Sequence, residues 1–154
     1  MMLYLLVTGS RTWDDEAFIW AQLTRLYILH GGIQIHHGDC PEGGADQIAD
    51  EWGNAFNAVT PKVSVVKHPM DRRRYGKRAG PIRNSEMVVH IADLMSQGRS
   101  VACHGFNRDR SRGTSDCTRK AMRAGIPTVS HAWINGYAIK TVTDDRLFPL
   151  EFVP

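Results

Sequence analysis

The stretch MLYLLVTGSR, residues 2–11, decides how the rest of the chain is read. Its first six side chains form a continuous apolar run, as in a strand buried on both faces of a helix-covered parallel sheet. The run stops at Thr8-Gly9-Ser10-Arg11. A glycine there allows close backbone approach and free N–H groups, as a phosphate-binding turn requires, although glycine after a strand also serves as a plain turn. Arg11 tilts the balance toward an anion site, and Thr8 and Ser10 add hydroxyl donors.

The same unit recurs outward from this strand. A helical pattern runs from Asp14 to about His30, with Ile19, Leu23 and Leu26 on one stripe, and Gly31-Gly32 stops it. IQIHHG (33–38) reads as a second strand, followed by the loop DCPEGGAD and a helix through about Ala55. KVSVV (62–66) is a third strand. A long basic loop then ends in Gly80-Pro81, and proline at a first helical position predicts a helix over 81–96. SVACHGF (100–106) is a fourth strand, SRGTSD (111–116) opens a helix closed by Ala124-Gly125, and 126–129 is a fifth strand. In the tail, WINGYAI and LFPLEFV read as a short helix and one edge strand.

Strand and helix alternate about every 30 residues, which argues for βαβ units. The expectation is an α/β fold, a mostly parallel sheet of about five strands with helices on both faces. It forms one domain over 1–154, with 130–154 as a C-terminal extension. In such sheets ligands bind outside the carboxyl ends of the strands, near the point where strand order reverses. Every unusual loop of this chain falls on that edge: TGSR, HGDCPEGGAD, the basic loop and NRDRSRGT.

Net charge is +3, from 19 Lys and Arg against 16 Asp and Glu. Fourteen of the nineteen lie in residues 67–83 and 99–123, either as two solvated faces or as walls around an anionic ligand. No run is long enough to cross a membrane, and the apolar N-terminus lacks a preceding basic region, so it reads as a strand and not a signal peptide. Cys40, Cys103 and Cys117 are an odd set without metal-type spacing, which fits reduced thiols in the cytoplasm. No metal and no cofactor is expected.

Individual loop residues then acquire candidate roles. Gly43 and Gly44 lead into a helix whose first turn holds Asp46, which either favours the helix dipole or meets a ribose or a neighbouring loop. Arg83 falls in the first turn of the helix begun by Pro81, where a cation opposes the macrodipole. A bound carboxylate or phosphate, gripped by two parallel bonds, explains it better. Asn84 and Glu86 follow, the latter a general acid or base or an ion-pair partner. Ser111, Arg112, Gly113 and Thr114 make a phosphate cradle lacking the lysine and spacing of a P-loop. Cys117, one turn further on, is either activated by the helix N-terminus or a small buried side chain.

Taken in order, TGSRTW, HGDCPEGGADQIADEW, GPIRNSEMV, SRGT and AGIP resemble the YspA-like branch of the SLOG superfamily, which also includes the DprA/Smf and LOG proteins. The resemblance covers about residues 3–129. It implies a Rossmann-like, doubly wound domain that binds nucleotides or nucleotide-derived ligands, as a sensor or sequestering protein, in bacteria or phages. LOG enzymes cleave the N-glycosidic bond of nucleoside 5′-monophosphates with an arginine and a glutamate. Arg83 takes the arginine's place, whereas Cys117 stands where the glutamate would be and Asp116 is one position early. A nucleotide N-glycosidase using Glu86 or Asp116 is therefore the alternative reading. Single-stranded DNA binding, suggested by the DprA relatives, ranks last, because the basic windows offer only Tyr75 and Phe106 for stacking. SLOG domains often pair, so a homodimer or higher homo-oligomer is a further expectation.

Overall fold

The apolar run near the N-terminus becomes the strand about which the rest is arranged. In the computed structural model, which describes residues 2–134, 138–143 and 152–153, strand β1 (Leu3–Gly9) leads into helix α1 (Glu16–His30), and β2 (Ile33–His37) into α2 (Ala45–Asn57). Strand β3 (Val63–Lys67) is followed by the short α3 (Arg72–Tyr75), a 3-10 turn (Gly76–Arg78) and α4 (Ala79–Ser96). Then come β4 (Ser100–Asn107), α5 (Arg112–Arg123), β5 (Thr128–Ile134), β6 (Ala138–Thr143) and β7 (Phe152–Val153). The seven strands lie in one sheet in the order β3-β2-β1-β4-β5-β6-β7. The first five pair in parallel, and β6 and β7 add antiparallel. The α/β, Rossmann-like expectation is met, with two strands more than expected.

Local chemistry sets the boundaries. The Asp15 carboxylate accepts the Phe18 N–H at 3.0 Å and caps α1. At its other end Gly31 takes φ 74° and donates to the Tyr27 carbonyl, a left-handed stop that suits glycine. WINGYAI is not a helix as far as it is described. Trp133 and Ile134 finish β5 and Ala138 and Ile139 begin β6, with residues 135–137 outside the described residues. Antiparallel pairing from Val129↔Thr143 to Ile134↔Ala138 prevails over the helical reading. Phe152–Val153 at the sheet edge agree with an edge strand in LFPLEFV, whose remaining residues lie outside the description.

Helices cover both faces. On one, α1 and α2 bury Ile19, Leu23, Ala49 and Trp52 against Leu3, Leu5, Val7, Ile33 and Ile35. On the other, α4 and α5 bury Met87, Ile91, Cys117 and Ala121 against Leu6 and Cys103. Each such large apolar side chain contributes about 1.5–3 kcal/mol. Of the expected core, Val65 and Ala102 are only half-buried, and β3, which carries Val65, is an edge strand. Trp13, Trp52 and Phe106 are core residues that periodicity did not indicate. Gly9 is required by close packing: a Cβ there would overlap that of Ala45 and lie 2.8 Å from the Phe106 carbonyl oxygen.

Among the buried sheet histidines are His36 on β2, His104 on β4 and His131 on β5. Burial, reinforced by His68, His90 and His37, lowers His36 to about 3. Burial and Arg25 lower His104 to about 4, and burial and His104 lower His131 to about 3. Because the unfolded chain takes up these protons first, their contribution is fully present above about pH 6.5 and is lost as pH falls toward the folded values. Each histidine should cost about 1.4 kcal/mol per pH unit below that point until its folded value is reached. Urea titrations from pH 7 to 4 should show stability falling steeply with net proton uptake on unfolding. A flat profile would mean that these rings are accessible.

Candidate functional site

Strands β1 and β4 are neighbours, yet β1 leads to a helix on one face and β4 to a helix on the other. Their carboxyl ends therefore part, and a cavity of about 1240 Å³ opens there. Its lining draws on the loops after all of β1 to β4. Seven arginine or lysine side chains (Arg11, Arg72, Lys77, Arg83, Arg110, Arg112 and Arg119) face four carboxylates, Glu42, Asp46, Asp109 and Asp116. The excess makes the space electropositive.

At the start of α5, the Ser111 hydroxyl accepts the Thr114 N–H at 3.4 Å and the Thr114 hydroxyl at 3.1 Å. The Ser111 N–H is taken by the Asn107 side chain. The amides of Arg112 and Gly113, first in the helix, have no hydrogen-bond acceptor among the described residues. Open amides at a helix N-terminus, with the positive end of its dipole, form an anion-binding arrangement. The preceding loop holds Asp109 and Arg110 at φ 57° and 51°, a conformation that costs a non-glycine residue roughly 1–2 kcal/mol. Ser10 fixes that loop: its hydroxyl accepts the Arg108 N–H at 2.7 Å and donates to the Arg108 carbonyl at 2.8 Å.

Arg83 is the fifth residue of α4, because the helix begins at Ala79 and not at Pro81. It lies in the second turn, so the macrodipole argument for it does not hold. Its Nη1 donates to the carbonyls of Gly38 and, at 3.3 Å, of His68, and its Nε to Asn84 Oδ1 at 3.1 Å. Arg83 thus ties the loops after β2 and β3 to α4 while lining the cavity. Gly38 is one residue that sequence reasoning missed, since a Cβ there would strike the Arg83 guanidinium. Asn84 Nδ2 bridges onward to the Gly113 carbonyl and Asp116 Oδ2, both at 3.2 Å.

A family model described as "YspA, cpYpsA-related SLOG family" matches residues 4–75. The chain is also 38% identical over 130 residues to the Gene 61 protein of Mycobacterium phage D29, covering 84% of this chain and 96% of the relative. The chain belongs to the YspA, cpYpsA-related SLOG family. The model's match ends at Tyr75, so the α4 and α5 parts of this SLOG site rest on the geometry described above.

Among the candidate residues of this SLOG domain, Thr8, Gly9, Arg11, Asp46, Arg83, Asn84, Ser111, Arg112, Gly113, Thr114 and Asp116 line one cavity. Three ligand candidates lie outside it. Ser10 is buried and its polar atoms are committed to the β1–β4 junction. Gly43 and Gly44 shape the loop, Gly44 at φ 79° pressed against the Ser10 and Arg11 backbone. Glu86 is exposed and also outside the lining, about 200° round the helix from the inward-facing Asn84. As a carboxylate for chemistry in the cavity it is withdrawn.

Asp46 is buried, and its Oδ2 accepts the Cys40 N–H at 3.3 Å. Burial pushes its carboxyl above the ordinary range, opposed by His37, Arg83 and the amides of Cys40 and Gly38. Asp116 Oδ2 is occupied by Lys120 Nζ at 2.9 Å as well as by Asn84. The Cys117 thiol is buried, which drives it to about 12 against the opposing Thr8 hydrogen bond and Arg83. It is a core side chain and not an activated nucleophile.

Losing Arg83 should therefore destabilise the protein by itself. Arg83→Ala leaves two loop carbonyls unpaired and Asp46 without its nearby cation, at a cost of about 2 kcal/mol. Thermal denaturation should show a midpoint lower by roughly 4–8 °C. An unchanged midpoint would return Arg83 to the role of a pure ligand contact.

Proposed function

We propose that this SLOG domain binds a nucleotide or nucleotide-derived phosphorylated ligand at the carboxyl ends of its parallel strands, as a sensor or sequestering protein. One observation carries the reading: the unpartnered amides of Arg112 and Gly113 open into a cavity whose lining is predominantly cationic. A phosphate sits against these amides, flanked by the Ser111 and Thr114 hydroxyls. Arg112 and Arg110 supply charge, and Thr8 and Gly9 form the facing wall. Arg83 and Asn84 hold the loops in place around it, and Asp46 braces Cys40 beside the space for a sugar. Binding is favoured over cleavage because Asp116 is paired with Lys120 and Glu86 points elsewhere.

Gly113→Asp separates the site from the fold. A Cβ at Gly113 meets nothing within 4 Å, and an acid in the first turn suits the helix dipole. The variant should melt at or above the wild-type temperature, yet bind nucleotide at least about tenfold more weakly, since its carboxylate takes the place of phosphate. Calorimetric titration with a nucleotide panel, with mass spectrometry of what co-purifies, provides the readout. Release of a free base would make the chain a hydrolase. Normal binding by Gly113→Asp would remove the phosphate from α5.

The same titration at increasing salt distinguishes a small ligand from a strand. A mononucleotide screens one or two contacts and should give a shallow dependence, whereas an oligonucleotide releases many counterions and gives a steep one. A steep slope with oligonucleotides and no binding of nucleotides would favour a nucleic-acid partner.

A further inference from the structure

Glu42, in the loop after β2, places Oε1 3.6 Å from Arg11 Nη1 and 3.5 Å from Arg72 Nη2. Its Oε2 accepts from Cys40 Sγ at 3.2 Å. Arg11 follows β1 and Arg72 opens α3 after β3, so one carboxylate is held between cations from the loops on either side of it. All three side chains line the cavity. The Cys40 hydrogen bond and Glu42's own amide, helped by Arg11 and Arg72, hold the carboxyl below the ordinary range, so it is ionised at neutral pH.

The backbone beneath Glu42 is a turn, closed by the Gly43 N–H donating to the Cys40 carbonyl at 3.3 Å and anchored at both ends. Cys40 N–H is fixed on Asp46, and Gly44 is packed against Ser10 and Arg11. Gly43, at φ 93°, has nothing within 4 Å of where a Cβ would be. The ion pairs themselves are loose, with side chains 40% exposed for Glu42, 65% for Arg11 and 61% for Arg72. Pairs of this exposure contribute little to stability and exchange readily.

We propose that Glu42 is an internal stand-in for a second anionic group of the ligand, occupying Arg11 and Arg72 until a phosphate displaces it. This rests on nucleotide binding at α5 and narrows the ligand class to nucleotides or derivatives carrying at least two phosphate groups. One phosphate lies on the Arg112 and Gly113 amides and another replaces the Glu42 carboxylate. The cavity, at about 1240 Å³, exceeds the range of about 300–1,000 Å³ common for small-molecule sites, which suits an extended ligand. A monophosphate on α5 leaves Glu42 where it is, so the loop discriminates by phosphate number.

The test needs no knowledge of the base. Orthophosphate, pyrophosphate and tripolyphosphate are titrated calorimetrically into the full chain at low, fixed salt. Wild-type protein should bind tripolyphosphate more tightly than orthophosphate. Glu42→Gln should raise that affinity ratio by about three- to tenfold, the strength of two exposed ion pairs. In an Arg72→Ala background, most of the gain from Glu42→Gln should vanish, which a general loss of negative charge would not produce. An unchanged or lowered ratio in Glu42→Gln, with orthophosphate binding weakened by Gly113→Asp, overturns the stand-in and leaves nucleotide binding intact. If neither these anions nor any nucleotide binds wild type or Glu42→Gln, both readings fall together.

Discussion

Ser10 is the knot on which the site depends. Its N–H donates to the Phe106 carbonyl, and its own carbonyl accepts from Trp13 and Ala45. Its hydroxyl holds both backbone groups of Arg108. One residue therefore joins the end of β1, the start of α2 and the loop after β4, with Gly9 beside it permitting the approach. Such a junction leaves no polar atom for a ligand, but it fixes the position of those that remain. The two left-handed residues Asp109 and Arg110, and through them the start of α5, are held by it. A loop fixed in this way has little ordering entropy left to lose.

The electrostatic design follows from the same convergence. Bringing four loop ends together places many arginines around one space, and a ligand-free chain must tolerate them. The domain does so with partial internal neutralisation. Asp116 answers Lys120, Glu42 sits between Arg11 and Arg72, and Arg83 uses carbonyl oxygens instead of a carboxylate. Asp46 is the exception. It is buried with its negative form disfavoured, close to Arg83 and hydrogen-bonded to the loop that Arg83 also holds. A carboxyl group and a guanidinium thus brace one wall from two sides.

The strand–loop skeleton was legible because its signals are local. Continuous apolar runs such as residues 2–7, the glycine stop at Gly31 and the serine-capped SRGT turn each specify a backbone state within a few residues. The rule that ligands collect at the carboxyl ends of parallel strands then pointed to the loops that line the cavity. What the sequence concealed was rotational and tertiary. A helix starting at Ala79, two residues before Pro81, moved Arg83 out of the first turn, and nothing short of the fold reveals that its partners are carbonyls of Gly38 and His68. Glu86 failed for the same reason, since its direction depends on which face of α4 meets β1. Gly38 gave no signal because its smallness matters only against an arginine 45 residues away. In the tail, pairing with β6 prevailed over the local pattern of WINGYAI.

The strand order also constrains the way the chain is made. On one side β1 pairs with β2, Leu3 facing Ile33, whereas on the other Leu3 faces Ser100. During synthesis the first edge of β1 can be satisfied early, while the second stays open until β4 has left the ribosome. Contacts of such long sequence separation form slowly, and unpaired strand edges invite aggregation in the interval. The cavity lies on that late seam. A nascent chain ending before Ser100 therefore has β1, β2 and β3 but only one wall of the cavity, whose other wall comes from the residues after β4.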